Sequence, residues 1–250
     1  SNQSGALAFT NMDVVVPGNS KLPMSIGRTY SVRDWRYRVT DGMFEDWDMD
    51  LPTISATLVT DWVGQGAGTS ISANRCTDAF RPPLPTGYTG LTWQDFWHGV
   101  SINIPGITSG ELLRVNPSAP RPSTDHVWAA KGHVRVSCLT SIQNHTGEGF
   151  LAITPDGTTY RFDWMSRRHE PALRRGSNDN QAGNMYFWQN HLPVYRYELL
   201  PTRIEDRFGN AIELTYSNAW NQPARLTRVK DAAGGEGRQI DITYTADAVS

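Results

Sequence analysis

The sequence predicts an all-β protein: an antiparallel β-sheet of stacked hairpins with one irregular, loop-rich insertion and at most short helices. Two observations support this fold class. Apolar residues recur at every second position in many short segments, and 22 glycines and 15 prolines interrupt the 250 residues often enough to favour short strands over long helices. Hydrophobic residues make up 38% of the chain, which is enough for a sizeable core. The net charge of −2 provides no general attraction to nucleic acid.

Residues 1–63 have the pattern of an N-terminal β module. Apolar side chains alternate with polar ones from the start of this segment until Pro17 and Gly18 interrupt the run. The later part of the segment contains another strict alternation and a β-branched stretch, and both are typical of strands. The predicted strands lie at 6–10 together with 12–16, at 22–30, at 46–51 and at 55–63.

Residues 64–124 form the predicted insertion, because glycine-rich and proline-rich segments replace the alternating pattern there. One short helix is predicted near 92–98. Thr92 suits its N-cap, Asp95 occupies the capping-box position, and Gly99 suits its end.

Three aromatic residues share one face of this predicted helix: Trp93, Phe96 and Trp97. Such a stripe usually packs into a core, and we expect that here, where it would also plug an opening of the sheet. The alternative is a ligand surface on which the rings stack against sugars.

Residues 125–250 are predicted to be a region of β-hairpins. The clearest turn is Thr-Pro-Asp-Gly-Thr at 154–158, which separates a strand at 150–153 from an alternating aromatic stretch at 160–164. A polar, glycine-containing loop is predicted over 167–183. Its basic side chains are expected to be solvated, and the alternative is that they bind an anion or the acidic patch of a partner. They are Arg167, Arg168, His169, Arg174 and Arg175.

A weak internal repeat lies near the end of the sequence, at 203–216 and 228–244. Each copy runs Arg, apolar, charged, Asp, a glycine-bearing turn and then an alternating strand that ends in Tyr. Asp and Gly reverse the chain, because Asp bonds its own following backbone and Gly reaches positive φ without strain. One hairpin cannot bury its apolar face alone, so the pattern predicts stacking with other hairpins. The defining residues are Asp206, Gly209 and Tyr216 in the first copy, and Asp231, Gly234 and Tyr244 in the second.

These two copies resemble the YD repeat of Rhs proteins. The segments at 4–7, 10–18 and 22–30 are similar to the module that opens the Rhs region, and Asp-Gly-Thr-x-Tyr-x-Phe at 156–162 precedes the repeats in the same order. The resemblance covers both ends and this hairpin, but does not extend to 64–124.

The resemblance implies a structural, non-catalytic segment of a hollow β-sheet shell that encloses or delivers a C-terminal toxin domain. The implied partners are the rest of that shell, the enclosed toxin and a secretion-system or delivery component. The implied location is secretion or cell-surface delivery from a bacterium, with a cytoplasmic stage before export. The sequence departs from the family in having too few repeats to close a shell and in lacking the Asp-Pro-x-Gly motif associated with self-cleavage.

No catalytic, cofactor or metal site is predicted. The six histidines have no zinc-ligand spacing, and neither a nucleophile elbow nor a phosphate-binding loop occurs. Asp46, Asp48 and Asp50 alternate on one strand, where we expect a solvated polar face, and a calcium site is the alternative. An enzyme is therefore not expected. The competing function is a binding module that recognises a carbohydrate or a surface receptor through the aromatic-rich insertion.

Two cysteines, Cys76 and Cys138, are too few for a disulfide framework and do not form a CxxC metal motif. Two buried free thiols are expected, and a disulfide between them is the alternative. No apolar run is long enough to cross a membrane, and no stretch near Ser1 has the pattern of a signal peptide.

Overall fold

The structure, a computed structural model, describes residues 8–18, 22–31, 47–62, 74–78, 82, 91–118, 125–173, 191–232 and 234–244. Within these residues the regular secondary structure consists of fifteen strands and two 3₁₀ turns of three residues each. All strand pairings are antiparallel. The predicted fold class, all-β with antiparallel hairpins and at most short helices, is confirmed.

A small sheet contains the first three strands: β1 (Ala8–Val16), β2 (Met24–Ser31) and β3 (Trp47–Met49), in that order. The reversal between β1 and β2 falls at the predicted interruption after Val16. Inward-facing Met24 is completely buried, because apolar residues at every second position of β2 face the core.

The large sheet contains twelve strands. From β7 to β15, each strand pairs with the next one along the chain, as expected for a series of hairpins. The strands are β4 (Thr53–Leu58), β5 (Val100–Ile104), β6 (Thr108–Glu111), β7 (Leu113–Arg114), β8 (Trp128–Ala130), β9 (Val134–Leu139), β10 (Gly149–Ile153), β11 (Thr159–Leu173), β12 (Leu192–Glu205), β13 (Ala211–Ser217), β14 (Arg225–Asp231) and β15 (Gln239–Asp241).

Strand β12 is where the large sheet divides. One of its edges pairs along its length with β11. The other edge pairs with β4 through residues 195–199 and with β13 through residues 203–205. The β4 branch continues through β5 and β6, and the chain then passes from β6 into β7 at the far end of the hairpin series. The sheet therefore curls until it nearly closes on itself.

One hydrophobic cluster joins the two sheets. Met24 of the small sheet, Ile54 of β4, Phe150 of β10 and Leu226 of β14 all belong to it and are completely buried. A fully buried side chain of this size contributes about 1.5–3 kcal/mol, so this common core fixes the small sheet against the large one.

The predicted insertion at 64–124 is irregular only in part. Residues 100–114 form β5, β6 and β7 of the large sheet, where β5 pairs with β4. The predicted helix near 92–98 is a single 3₁₀ turn, Trp93–Asp95. Its capping box is present, because the Asp95 carboxylate accepts hydrogen bonds from the Thr92 N–H (2.6 Å) and hydroxyl (3.1 Å).

The predicted polar loop at 167–183 is also partly wrong. Residues 167–173 continue strand β11, where Arg168 pairs across the sheet with Arg196. The sequence did not predict this part of the strand, because its charged side chains interrupt the alternation of apolar residues by which strands are recognised. The rest of that loop, with Arg174 and Arg175, lies outside the described residues.

The expectation of free thiols is wrong, because Cys76 and Cys138 form a disulfide. Their Cα atoms lie 5.6 Å apart, although 62 positions separate them in the sequence. Cys138 is the second-last residue of β9, and Cys76 lies in the short turn at 74–78. Sequence spacing alone contains no information about such a long-range approach.

Candidate functional site

The first repeat copy turns around the carboxylate of Asp206. Its Oδ1 accepts the backbone N–H groups of Phe208 (2.8 Å) and Asn210 (3.0 Å), and its Oδ2 accepts the side-chain amide of Asn210 (2.8 Å). Gly209 has φ +86°, a conformation that a side chain would strain. The Asn210 side chain contributes most to lowering the pKa of Asp206 below its ordinary value.

The second copy turns around Asp231 in a different way. Its carboxylate accepts the backbone N–H of Arg238 at 2.8 Å and the guanidinium Nη2 of the same residue at 2.9 Å. Gly234 has φ +89°. The hydrogen bonds that Asp231 accepts from Arg238 lower the pKa of Asp231. An arginine therefore closes the longer turn, where an asparagine closes the shorter one.

The tyrosines that end the two copies make the same contact. The Tyr216 hydroxyl donates to the carbonyl of Pro201 (2.8 Å), and the Tyr244 hydroxyl donates to the carbonyl of Leu226 (2.9 Å). Pro201 and Leu226 each lie five residues before the turn aspartate of their own copy. The sequence repeat is thus also a repeat in three dimensions.

The two copies differ in burial. The side chains of Ile212, Leu214 and Tyr216 in the first copy are all buried, as their alternation predicts. The corresponding apolar side chains after the second turn, including Ile240 and Ile242, are only half-buried. Strand β15 is at the end of the strand order, so no further strand among the described residues covers its outer edge.

Arg238 also connects the second copy to the N-terminal β module. Its Nη1 lies 3.5 Å from the carbonyl oxygens of Val16 and Leu22, which flank the reversal between β1 and β2. A Cβ atom on Gly18 would overlap the guanidinium group. A larger residue at this position would therefore have to displace the end of the Arg238 side chain.

A buried charge network joins β3 of the small sheet to β11 and β12 of the large sheet. Arg168 is 4% exposed and donates to Asp48 through Nη1 (2.6 Å) and Nη2 (2.9 Å), and to Glu198 through Nε (2.8 Å). Burial alone would lower the pKa of Arg168, but the two carboxylates raise it above its ordinary value. The solvated face expected for Asp46, Asp48 and Asp50 is therefore wrong for Asp48, and Asp46 lies outside the described residues.

A second network fixes the disulfide-bonded turn. The guanidinium of Arg75 is 1% exposed and donates to three carbonyl oxygens, including those of Trp62 (2.8 Å) and Glu148 (2.6 Å). The Glu148 carboxylate accepts the backbone N–H groups of Cys76 (2.9 Å) and Thr77 (2.8 Å). Burial lowers the pKa of Arg75 to about 10. This turn is thus fixed by buried hydrogen bonds as well as by the disulfide.

The predicted ligand or plug surface lies in a small apolar cluster. Phe96 is 2% exposed and packs with Leu192 and Val194 of β12. Trp93 and Trp97 are half-buried against the same cluster. The structure thus brings these three aromatic residues together beside the N-terminal half of β12, whereas the first repeat turn follows the C-terminal end of the same strand.

Sequence reasoning missed a cluster of aromatic and cationic side chains. The His145 ring stacks on Trp220, with ring centroids 4.1 Å apart, and the Arg167 guanidinium lies 4.4 Å from the ring centroid of Tyr195. Burial, reinforced by the charge of Arg75, lowers the pKa of His145. These four residues come from four segments that are distant in the sequence, so no local motif marks the cluster.

Within the described residues, no three or more His, Cys, Asp or Glu side chains are grouped so that they could hold a metal ion. No helix in the same part of the chain has the length and apolar character needed to cross a membrane. A comparison with known protein families found no family model that matches the chain, and a comparison with curated proteins found no match either.

Proposed function

We propose that this chain is a non-catalytic structural segment of an Rhs/YD-repeat shell, which encloses or delivers a C-terminal toxin domain in a larger protein. The observation that supports this proposal most is the pair of equivalent tyrosine hydrogen bonds, Tyr216 to Pro201 and Tyr244 to Leu226. They occur in successive hairpins of one sheet, as expected for a wall that grows by adding one repeat after another.

The burial of the two copies supports the same proposal. Tyr216 and the apolar residues of its strand are covered, whereas Ile240 on β15 is half-buried. An edge strand presents unpaired N–H and C=O groups, which are a template for one more strand. A following repeat would pair with β15 and complete the burial of its apolar side chains.

The disulfide supports export. Disulfides persist in oxidising compartments and are rare in the reducing cytoplasm, so the Cys76–Cys138 bond fits a protein that is secreted or delivered to a cell surface from a bacterium. In this proposal the partners are the rest of the shell, the toxin domain and a delivery component of the secreting cell.

The test uses the natural gene product that contains this chain. The shell proposal expects further repeats after Tyr244 and a C-terminal domain that resists added protease while the sheet is folded. Unfolding the sheet with denaturant should make that domain as sensitive as the same domain produced alone. A gene product without further repeats, or one whose C-terminal domain is cut equally fast in both forms, would contradict the proposal.

A binding module that uses Trp93 and Trp97 is the second candidate, and it is favoured by their partial exposure. Quenching of tryptophan fluorescence by iodide distinguishes the two functions when wild type is compared with Trp93→Phe and Trp97→Phe. A ligand surface requires that these two tryptophans account for much of the quenched signal and that a bound glycan protects them. The shell proposal expects no such protection.

A further inference from the structure

The turn that contains Cys76 is bound to the rest of the chain by a buried arginine next to the cysteine. The guanidinium of Arg75 donates through Nε to the Trp62 carbonyl at 2.8 Å. Its Nη1 and Nη2 donate to the carbonyls of Glu148 (2.6 Å) and Thr146 (2.5 Å). Arg75 is 1% exposed, so moving the turn away would leave a buried cation without its acceptors, which is strongly destabilising. The turn is therefore held in place by interactions that do not involve the sulfur atoms.

The backbone of the turn is bound from two sides. On one side, the Glu148 carboxylate accepts the N–H groups of Cys76 (2.9 Å) and Thr77 (2.8 Å), and also the Thr77 hydroxyl (2.8 Å). On the other side, the Trp128 indole N–H of β8 donates to the Cys76 carbonyl at 3.0 Å. Arg114 of β7 donates to the Thr77 carbonyl at 2.7 Å. Both polar groups of the Cys76 backbone thus have partners outside the turn.

The segment that accepts these hydrogen bonds is continuous with the strand beside Cys138. Glu148 directly precedes β10, and Phe150 of β10 pairs with Cys138 of β9. The same segment therefore positions the turn and the strand that carries the second cysteine. The Cα atoms of Cys76 and Cys138 lie 5.6 Å apart, so the two side chains meet whenever the turn is docked.

We propose that residues 74–78 dock in the same place in the reduced chain, where Cys76 and Cys138 form a preorganised dithiol that an external disulfide oxidises after folding. The bond between them is then a reversible link that responds to the redox state of the compartment, and the fold does not depend on it. The proposal concerns the isolated chain and is independent of the proposed shell function.

The reaction is thiol–disulfide exchange with a small disulfide such as oxidised glutathione. Cys76 is completely buried and Cys138 is half-buried, so the Cys138 thiolate attacks first. It forms a mixed disulfide, and one glutathione leaves as a thiolate. The Cys76 thiolate then displaces the second glutathione as the Cys76–Cys138 bond forms. The chain loses two electrons and two protons, and one oxidised glutathione becomes two glutathione thiols.

The first experiment compares NMR hydrogen exchange of the oxidised chain with that of the chain reduced by dithiothreitol. The proposal expects the amides of Cys76 and Thr77, and the Trp128 indole N–H, to remain protected roughly 100-fold or more in both states. If the reduced chain exchanges these two amides at the rate of an unfolded peptide, the disulfide holds the turn and the proposal is wrong. Unfolding of the whole sheet on reduction would contradict it equally.

The second experiment equilibrates the chain with mixtures of reduced and oxidised glutathione and measures the effective concentration of the two thiols. In urea, where the cysteines are joined only by flexible chain, this concentration should be on the order of millimolar. In the folded chain it should be roughly 100-fold higher or more, because the turn already holds the thiols together. A folded value equal to the value in urea would exclude a preorganised pair.

Two variants of the positioning arginines sharpen this measurement. Arg75→Gln should lower the effective concentration about tenfold, and Arg114→Gln, at an exposed position, about threefold, because each weakens the docking of the turn. Arg228→Gln is the matched control, since the exposed ion pair of Arg228 with Asp241 lies on β14 and β15, and it should leave the value unchanged. Should Arg75→Gln not fold, Arg114→Gln and the wild-type comparison still decide. Wild-type values for both Arg75→Gln and Arg114→Gln would mean that these hydrogen bonds do not position the thiols.

Discussion

The two repeat copies stabilise equivalent turns with different side chains. In the first, Asp206 is paired with a neutral amide from Asn210, and the strand that follows is buried. In the second, a longer turn is closed by the guanidinium of Arg238, and the following strand is half-buried. What the copies share is an aspartate that accepts backbone N–H groups, a glycine at positive φ and a tyrosine hydroxyl on an earlier carbonyl.

This difference shows that the repeat specifies a backbone path and leaves the closing partner free. The first copy lies within the sheet and its turn is self-contained. The second copy uses Arg238 for its own turn and for contact with the carbonyl oxygens of Val16 and Leu22. The second turn therefore has two roles: it reverses the chain, and it fixes the N-terminal β module to the repeat region.

The largest expected difference between the copies concerns their apolar faces. Leu214→Ala should lower the free energy of unfolding by about 3 kcal/mol, because it leaves a cavity at a buried position. Ile242→Ala should lower it by about 1 kcal/mol, because that side chain is already half-exposed. Urea denaturation of the two variants measures both values. Equal losses would mean that the segment after the second turn is covered as completely as β13.

A smaller difference is expected for the closing partners. Arg238→Ala should cost about 2 kcal/mol, because it removes several hydrogen bonds to a largely buried carboxylate as well as contacts with the small sheet. Asn210→Ala should cost about 1 kcal/mol, because the backbone N–H groups still bond Asp206. Thermal unfolding followed by circular dichroism compares them, with Arg238→Lys as the control that keeps the charge. If Arg238→Lys is as stable as wild type, a positive charge is sufficient to stabilise the second turn and the forked geometry of the guanidinium is not needed.

Removing a tyrosine hydroxyl should also lower the free energy of unfolding more in the first copy than in the second. Tyr216→Phe leaves the Pro201 carbonyl unsatisfied in a buried site and should cost about 1.5 kcal/mol. Tyr244→Phe should cost about 0.5 kcal/mol, because Tyr244 is only half-buried and water can take the place of its hydroxyl. Hydrogen exchange of the amides in β13 and β15 measures the local effect. A larger loss in the second copy would reverse the proposed order of burial.

The sequence predicted what is encoded within a few neighbouring residues. The turn around Asp206 and Gly209 and the buried face of β13 follow from side-chain chemistry and a period of two, and both are confirmed. The hairpin at 154–158 is confirmed for the same reason, because Asp156 and Gly157 specify it locally.

Features that depend on distant partners could not be predicted from the same patterns. Arg168 and Asp48 lie 120 positions apart, and a charged residue in a polar stretch is normally read as solvated. The Cys76–Cys138 disulfide likewise depends on which segments become neighbours. The division of the sheet at β12 determines that, and no local pattern marks a strand that pairs with two partners along one edge.

The smallest expected difference is in the response to acid. The pKa values of Asp206 and Asp231 are both below the ordinary value of 3.8. The unfolded chain therefore binds protons at these groups at higher pH than the folded chain does. The stabilisation is complete above pH 3.8 and is lost as the pH falls through the folded-state pKa values.

Because Asp231 is paired with a cation and Asp206 with an amide, added salt should weaken the second turn more than the first. Hydrogen exchange of the β13 and β15 amides between about pH 5 and pH 2.5, at low and high salt, measures both effects. Asp231→Asn should remove the salt sensitivity of β15, and Asp206→Asn should leave it unchanged. An equal response of both hairpins to salt would mean that the Arg238 pair does not stabilise its turn through charge.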